Sequence, residues 1–342
     1  MVSAGQKTAQ EGAKRQLLGA RRARAVISAS WQTRRRENML PYYAYLVSEA
    51  LVRVLPQRTS YWLGNRVADV LMLAAPRKLD ALRDNLRHVL PNIDERALQR
   101  VVRHNLHNLT HSWVDVMAMS SRRTNLPSRI DIEGFANFGQ ALRRRRGVVV
   151  VSMHYGSWEA GLAGWNAMGG RIALLAEVLH PQQLFDRVIG ARGKQNVQVI
   201  PIDVAAMRQA DTEMARRIAA ASMREVFRLL RSGGVVAMAL DRDLIGNGEL
   251  IPFFSKPAPI PVGVVDTAIR TGAAIVPIIL YRNDRRVRAV LHPELTYDPN
   301  APREEEVRRV TREVLALFER VILEHPDQWH VLDRIWPEAL NR

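Results

Sequence analysis

Short apolar runs alternate with helical stretches through the second half of the chain. The runs are rich in β-branched residues and bounded by Gly, Pro or charge, which predicts strands over Val148–Met153, Ile172–Glu177, Val197–Ile202, Val235–Leu240, Ile275–Tyr281 and Val287–Leu291. Helical periodicity predicts helices over Ser157–Met168, Pro181–Lys194, Met207–Arg231, Val262–Thr271 and Arg303–Glu324. Apolar strands that alternate with helices are typical of parallel sheets covered on both sides. We therefore predict an α/β fold with a mostly parallel central sheet and helices on both faces.

The pattern before this region is helical throughout. Apolar residues recur at helical spacing over about residues 40–120, with breaks at Pro56, Pro76 and Pro91. Leu40–Leu55 and Tyr61–Ala75 are the most apolar stretches, but each contains two charged residues, and spanning a membrane needs roughly 20 largely apolar residues. We predict an N-terminal helical layer without a transmembrane span. Its tyrosines and tryptophan favour a lipid–water boundary, and ordinary core-facing helices are the equally supported alternative.

Positive charge is concentrated at the start of the chain. The 342 residues hold 50 Lys and Arg against 34 Asp and Glu, a formal net charge of +16. Residues 1–38 carry nine of these basic side chains and two of the acidic ones, and they lack the apolar run of a signal peptide. We predict that 1–38 is a flexible basic tail and that 39–342 is a single domain. Within it, 39–125 form the helical layer and 126–342 form the α/β core.

The composition restricts the partners and the chemistry. A chain this basic calls for an acidic partner: nucleic acid, an anionic membrane surface or a phosphorylated substrate. Its basic tracts are not interleaved with aromatic residues on predicted strands, so we predict no nucleic acid and favour an anionic membrane surface. Cysteine is absent, which excludes disulfides, thiolate metal sites, iron–sulfur clusters and cysteine nucleophiles.

One helical stripe raises the possibility of a metal site. His104, His107, His111 and Asp115 fall on one side of the helix predicted from about Asp94 to Met119. A single helix rarely supplies four ligands to one ion, so we interpret the stripe as a polar lining of a cleft or of the solvent face. We predict no metal and no cofactor.

The most informative motif follows the first predicted strand. The run that begins at Val148 ends in His154, Gly156 permits a tight turn, and Ser157 can cap the next helix. Glu159 lies five positions after the histidine, so on one continuous helix the two side chains would diverge by about 140°. If His154 lies on the turn, the carboxylate can instead fold back to one imidazole nitrogen and leave the other as a base. This arrangement suits removal of a proton from a hydroxyl that attacks a thioester.

A second acidic position follows another predicted strand. Asp241 comes after Val235–Leu240, and if the two strands are near neighbours their carboxyl ends bring Asp241 beside His154. A plain cluster of surface charges is the alternative. In the loop beyond, Phe253 and Phe254 stand between prolines. They fit either a hydrophobic slot for an acyl chain or anchors that hold the loop to the core.

These motifs occur together in an order that resembles a known family. His154 and Glu159 match the His-x4-Asp/Glu motif of glycerolipid-type acyltransferases. Over about residues 40–340 the chain is similar to the bacterial lipid A biosynthesis (lauroyl/myristoyl) acyltransferase family, and within it to the phosphatidylinositol mannoside acyltransferases. The other matching segments are Arg83-x-Asn85-Leu86, Ala176-Glu177, Pro181, Arg192, Asp241-Arg242-Asp243-Leu244, Phe253-Phe254, Pro261-x-Gly263, Thr271-Gly272-Ala273 and Pro277.

The resemblance implies transfer of a fatty acyl chain from acyl-CoA or acyl-ACP to a hydroxyl of a glycolipid or phospholipid. It also implies peripheral or monotopic attachment to the cytoplasmic face of the cell membrane, with the helical layer facing the lipid. His154 would be the general base, Glu159 the carboxylate of the motif, and Asp241 the acid that pairs with the histidine. The predicted substrate-binding residues are Arg192, Arg242, Asp243, Phe253, Phe254 and Gly263.

Three further expectations complete the sequence-based interpretation. The acyl chain is expected in a groove between the Gly246–Pro261 loop and the Val262–Thr271 helix. The run Arg143–Arg146 is interpreted as a solvated helix end, and a contact with an anionic head group or with donor phosphates is the less favoured alternative. The segment of about Asp203–Ser222 is expected to be an insertion on the acceptor side. The alternative functions are a hydrolase that uses the same histidine and carboxylate with water, and a non-catalytic binder of anionic lipid or nucleic acid.

Overall fold

A computed structural model describes residues 38–119, 130–283 and 286–336. The predicted tail, residues 1–38, lies almost wholly outside these ranges. The helices are α1 Leu40–Val54, α2 Gln57–Ala74, α3 Asp80–Val89, α4 Glu95–Ala118, α5 Phe135–Arg143, α6 Trp158–Ala167, α7 Gln182–Gly193, α8 Val204–Gln209, α9 Thr212–Arg231, α10 Gly263–Thr271 and α11 Arg303–Glu324. The strands are β1 Ile130–Glu133, β2 Val148–Ser152, β3 Ile172–Glu177, β4 Val197–Ile202, β5 Val235–Ala239, β6 Glu249–Phe253, β7 Lys256–Ile260, β8 Ala274–Asn283 and β9 Arg286–Leu291.

Seven strands form the central sheet in the order β1-β9-β8-β2-β5-β3-β4. Neighbouring strands run parallel except β8 and β9, which are antiparallel and directly consecutive in the chain. Strand β2 lies in the middle of the sheet, between β8 and β5, with Ser152 opposite Ala239 in the β5 register. The predicted fold class is confirmed, and so is the expectation that the strands before His154 and Asp241 are neighbours.

The side chains of β2 show why this sheet needs helices on both faces. Val149 and Val151 pack into a core on one side, and Val148 and Val150 pack into a second core on the other. All four valines are buried, as the period of two along a strand requires when both faces are covered. Helices α9, α10 and α11 contribute to the first core, and α5 and α6 contribute to the second.

The helical layer, α1 to α4, precedes the sheet as predicted. Its longest helix, α4, begins where the Asp94 carboxylate accepts a hydrogen bond from the Ala97 N–H at 2.8 Å. None of the helices in the described ranges is long and apolar enough to cross a membrane.

Several features differ from the sequence-based expectations. The helix predicted over Met207–Arg231 is divided into α8 and α9, and α5 was not predicted. Strand β1, only four residues long, was not predicted. The predicted Gly246–Pro261 loop contains the antiparallel hairpin β6–β7, which turns through Phe254 and Ser255 at positive φ. Prolines at Pro252, Pro257 and Pro259 hide this hairpin from pattern analysis, because proline disfavours strands in general but is tolerated in an isolated two-stranded ribbon.

Candidate active site

The chain turns sharply at the carboxyl end of β2, and this turn carries His154. Gly156 adopts φ +60, and a Cβ atom on it would lie 1.6 Å from the Leu280 carbonyl oxygen. Glycine is therefore required here both for the backbone conformation and for the close approach to β8. Helix α6 begins two residues later, so His154 stands before the helix, as the motif predicts.

His154 and Asp241 form a bidentate contact at adjacent strand ends. The imidazole Nδ1 lies 2.9 Å from Asp241 Oδ1, and the His154 backbone N–H donates to Asp241 Oδ2 at 2.8 Å. The Asp241 side chain is completely buried, whereas the His154 side chain is 34% exposed. The pair thus combines a fixed, buried carboxylate with a ring that remains accessible. The predicted approach of Asp241 to His154 is what the structure shows.

Asp241 is ionised in this environment. Burial raises the pKa of its carboxyl, but the charge of His154 and hydrogen bonds from His154 and Trp329 outweigh burial and hold the pKa below its usual value. A carboxylate accepts and cannot donate, so the Nδ1 that faces it carries the hydrogen. The other ring nitrogen, Nε2, is then the basic one.

Glu159 does not provide this contact. Its carboxylate accepts from Arg192 instead, with Nη2 2.5 Å from Oε1 and Nε 3.4 Å from Oε2. Both side chains are largely buried, at 6% and 17% exposure. The expected fold-back of Glu159 to the imidazole is therefore replaced by a salt bridge to α7. The same salt bridge occupies the Arg192 guanidinium that was expected to hold donor phosphates.

The other predicted substrate-binding residues are also engaged within the fold. Arg242 forms ion pairs with Glu177 at 3.2 Å and with Asp333 at 2.5 Å. The Asp243 carboxylate shapes its own loop by accepting from the backbone N–H groups of Ile245, Gly246 and Gly248. Gly263 is the first residue of α10, and a Cβ on it would meet no atom within 4 Å.

The paired phenylalanines anchor their hairpin to the core. Phe253 is completely buried and stacks on Trp336 at 5.6 Å between ring centroids, and Phe254 packs against the same core. Of the two interpretations left open by the sequence, the anchor describes Phe253. The structure therefore does not support an exposed slot for an acyl chain at Phe253.

An apolar cavity lies between α5, α6 and the sheet. It has a volume of about 80 Å³ and extends along the inner face of α6. The residues that line it from α5, α6 and β8 include Phe135, Phe138, Trp158, Leu162, Trp165 and Leu280. Trp158 is closest to the histidine, with 6.4 Å between the ring centroids. One wall of the cavity therefore lies near His154, and the cavity is in a position different from the predicted groove.

Arg143–Arg146 stand at the opposite end of the sheet. They precede β2 and His154 follows it, and a five-residue strand is about 16 Å long. All four arginines are exposed, as expected for a solvated helix end, and the alternative that they bind donor phosphates together with Arg192 is inconsistent with this placement.

The structure also adds a buried polar cluster that sequence reasoning missed. Asp115 of α4 accepts from Tyr61 at 2.6 Å, from Ser157 at 3.1 Å and from Arg282 at 2.5 Å. Ser157 belongs to the turn after His154, so this cluster ties α2, α4 and β8 to that turn. Among the described residues no group of three or more His, Asp or Glu side chains is placed to hold a metal ion. The only sequence signal for the cluster was the polar stripe that ends at Asp115.

Comparisons with known proteins identify the family of the chain. The family model described as bacterial lipid A biosynthesis acyltransferase matches residues 30–338. The chain is 25% identical over 305 residues to a phosphatidylinositol mannoside acyltransferase of Mycobacterium tuberculosis, covering 87% of this chain and 89% of the relative. It is 24% identical over 303 residues to the protein of the same name from Mycolicibacterium smegmatis, covering 87% and 91%. The chain is thus an acyltransferase, and it belongs to the bacterial lipid A biosynthesis acyltransferase family.

Proposed function

We propose that this acyltransferase moves a fatty acyl chain from an acyl thioester, acyl-CoA or acyl-ACP, to a hydroxyl of a glycolipid or phospholipid, with His154 as the general base. The observation that carries the proposal is the contact between a buried, ionised Asp241 and an accessible His154 at the carboxyl edge of the sheet. Ligands of open α/β sheets bind at this edge. The names of the two mycobacterial relatives support a glycolipid acceptor.

The proposed chemistry follows from the orientation of the imidazole ring. Asp241 holds the Nδ1–H, so Nε2 accepts the proton of the acceptor hydroxyl as its oxygen attacks the thioester carbonyl carbon. A carbon–oxygen bond forms, and the carbon–sulfur bond breaks when the tetrahedral intermediate collapses. The imidazolium then returns its proton to the departing thiolate. The ionised Asp241 stabilises the imidazolium between these steps.

The apolar cavity beside Trp158 is the site we propose for the acyl chain. Its walls are almost entirely hydrocarbon and aromatic, and one of them lies near the reacting histidine. At about 80 Å³ it is smaller than the engineered cavity of about 150 Å³ that holds benzene. A long chain therefore requires the side chains along α6 to move when the donor binds.

The outer surfaces of α1 and α2 support the proposed attachment to a membrane. The exposed apolar residues of α1 recur at helical spacing. They are Leu40, Tyr43, Val47, Leu51 and Val54, and those of α2 are Trp62, Val67, Val70, Leu71 and Leu73, with exposures of 43–84%. Contiguous apolar surface on this scale is unusual for a protein that faces only water. We place these helices at the lipid surface of the cytoplasmic face, with the basic residues 1–38 adding charge attraction.

The test of the proposal is the identity of the product. The full chain is incubated with labelled acyl-CoA or acyl-ACP and with total membrane lipids, and the label is expected in an acylated glycolipid or phospholipid. Label that accumulates only as free fatty acid contradicts the proposal and supports the hydrolase alternative. Flotation with anionic vesicles tests attachment, which is expected to weaken at high salt and in a Val47→Glu variant.

A further inference from the structure

The segment after α11 closes over the catalytic turn. Residues 328–330 run antiparallel to residues 154–156: Tyr155 and Trp329 form a β-bridge, the Gly156 N–H donates to the Gln328 carbonyl at 2.9 Å, and the His330 N–H donates to the His154 carbonyl at 2.7 Å. We call residues 328–330 the clasp. Through these bonds the clasp holds the backbone of the residue that carries the proposed base.

The clasp is itself fixed by the helical layer. The Asn105 side chain donates to the Trp329 carbonyl at 2.7 Å, and the Asn85 side chain donates to the carbonyls of Val331 and Asp333. Asn85 and Asn105 are both completely buried, so these hydrogen bonds form without competition from water. The position of the clasp is therefore set by α3 and α4 as well as by the sheet, because the Gln328 side chain also exchanges hydrogen bonds with the backbone of Arg282 in β8.

Trp329 also reaches the catalytic pair with its side chain. The indole Nε1–H donates to Asp241 Oδ2 at 2.9 Å, in a side chain that is completely buried. Oδ2 thus accepts from Trp329 and from the His154 backbone, which leaves Oδ1 directed at the imidazole Nδ1. The indole fixes the rotation of the carboxylate that fixes the ring.

A second tryptophan of the same core provides a comparison for the hydrogen bond from Trp329 to Asp241. Trp336 packs within 6.4 Å of Trp329 and stacks on Phe253. Among the described residues its Nε1 is buried without a hydrogen-bond partner. Within the part of the chain that the structure describes, this core thus contains an indole N–H without an acceptor, whereas the N–H of Trp329 donates to the Asp241 carboxylate that contacts His154.

We infer that Trp329 is a positioning residue for the acyl-transfer reaction, acting through Asp241 to hold the imidazole of His154 in its working orientation. The inference rests on the proposed function of His154 and adds to it a residue 175 positions away in the chain. It also gives the Trp-rich end of the chain a role, because the clasp brings this end to the carboxyl edge of the sheet.

Loss of the indole N–H has two predictable effects. Asp241 loses one of its three hydrogen-bond donors and can rotate, so kcat/KM is expected to fall about tenfold to a hundredfold, the range for loss of a hydrogen bond to a charged group. The charge left on the carboxylate is also less dispersed and attracts a proton on the imidazole more strongly. The acid limb of the pH–rate profile is therefore expected to move to higher pH.

The other ionisable side chains around the pair are either a buried, neutral histidine or members of ion pairs. Burial lowers the pKa of His330 to about 3, so its ring stays neutral above pH 5. Arg282 remains paired with Asp115, Arg242 with Glu177 and Asp333, and Arg192 with Glu159. A movement of the acid limb therefore reports on the contact between His154 and Asp241.

The test compares Trp329→Phe with Trp336→Phe in the full chain. Both changes remove an indole from the same core, but only the first removes a donor to Asp241. Trp329→Phe is expected to lower kcat/KM and shift the acid limb, and Trp336→Phe to leave both within twofold of wild type. Equal rates and equal pH profiles for the two variants overturn the inference.

Two additional measurements keep the outcome unambiguous. Benzothienylalanine at position 329 keeps the bicyclic shape and lacks only the N–H. If Trp329→Phe does not fold properly, this analogue replaces it, and it is expected to show the same fall in kcat/KM and the same shift of the acid limb. Wild-type behaviour of this analogue overturns the inference. His154→Ala is measured in parallel: full activity in that variant overturns the proposed function itself, whereas an inactive His154→Ala with silent Trp329 variants rejects only the role of Trp329.

Discussion

Arg282 and Asp115 form a buried ion pair, with Nη2 2.5 Å from Oδ2 and exposures of 2% and 1%. Arg282 lies at the end of β8 and Asp115 on α4, so the pair joins the sheet to the helical layer. Ser157, the residue before α6, bonds to both partners, at 2.8 Å from Nη2 and 3.1 Å from Oδ2. The turn that carries His154 is thereby held to two separate parts of the fold.

Asp115→Asn is expected to destabilise the protein by about 3–5 kcal/mol, because it leaves the buried Arg282 guanidinium without a compensating charge. The exposed pair of Asp131 and Arg286 offers a matched control, since its side chains are 51% and 59% exposed. Asp131→Asn is expected to cost less than about 1 kcal/mol. Urea unfolding of both variants measures the difference, and similar losses for the two would contradict the account of the buried pair.

His111 makes the stability of this region dependent on pH. Its ring stacks on Tyr61 at 4.2 Å, and burial, with the charge of Arg282, lowers its pKa to about 4. The unfolded chain therefore binds this proton at higher pH than the folded protein does, and stability falls between about pH 6.5 and pH 4. The contribution of this one group to the loss is on the order of 3 kcal/mol.

His111→Phe keeps a ring of similar shape and removes the titrating group. The variant is expected to lose less stability than wild type when the pH is lowered from 7 to 4, and His104→Phe, at an exposed position on the same helix, is expected to follow wild type. Denaturation midpoints at several pH values provide the measurement. An identical pH slope for His111→Phe and wild type would be incompatible with a buried neutral His111.

The salt bridge between Glu159 and Arg192 predicts equivalent effects for its two members. Glu159→Gln and Arg192→Gln each leave one buried charge unpaired, so we expect comparable losses of stability and activity from the two single variants. The double variant leaves no unpaired charge, so its loss is expected to be smaller than the sum of the two single losses. Unfolding and initial-rate measurements on the two single variants and the double variant test this. A rise in donor KM confined to Arg192→Gln would instead indicate that Arg192 binds the donor directly.

The cavity along α6 predicts which substitutions change acyl-chain preference. Leu162→Phe places a larger side chain against the cavity, so we expect a preference for shorter chains, at about 0.8 kcal/mol for each methylene excluded. Phe253→Leu, in the core on the other face of the sheet, is expected to lower stability and leave the preference unchanged. Competition between acyl donors of different length measures the preference of each variant. If Phe253→Leu changes the preference and Leu162→Phe does not, the acyl chain binds in the groove predicted from the sequence instead.

The sequence predicted those parts of the site that depend on neighbouring elements. Apolar runs and a turn after each strand were sufficient to place His154 and Asp241 at one edge of the sheet, because parallel strands present their carboxyl ends together. The family resemblance, now confirmed, assigned the same pair. The division of the domain at residue 125 stays a prediction.

The contacts that depend on distant packing were beyond pattern analysis. The Glu159 carboxylate has His154 nearby in sequence, yet its partner is Arg192, 33 residues away on α7. Trp329 reaches Asp241 from the far end of the chain, and no local spacing reports such a contact. The prolines around Phe253 predict an exposed position, whereas the pairing of β6 with β7 directs its side chain into the core.

The proposed role of His154 as the general base can be measured directly. Steady-state acyl transfer is compared for wild type, His154→Ala and Asp241→Asn, with circular dichroism to verify folding. We expect kcat to fall by about 10²–10⁴ for His154→Ala, the contribution of a general base, and to fall substantially for Asp241→Asn, which no longer holds the ring as a charged acceptor. If folded His154→Ala retains a tenth or more of the wild-type kcat, His154 is not the base and the account is contradicted.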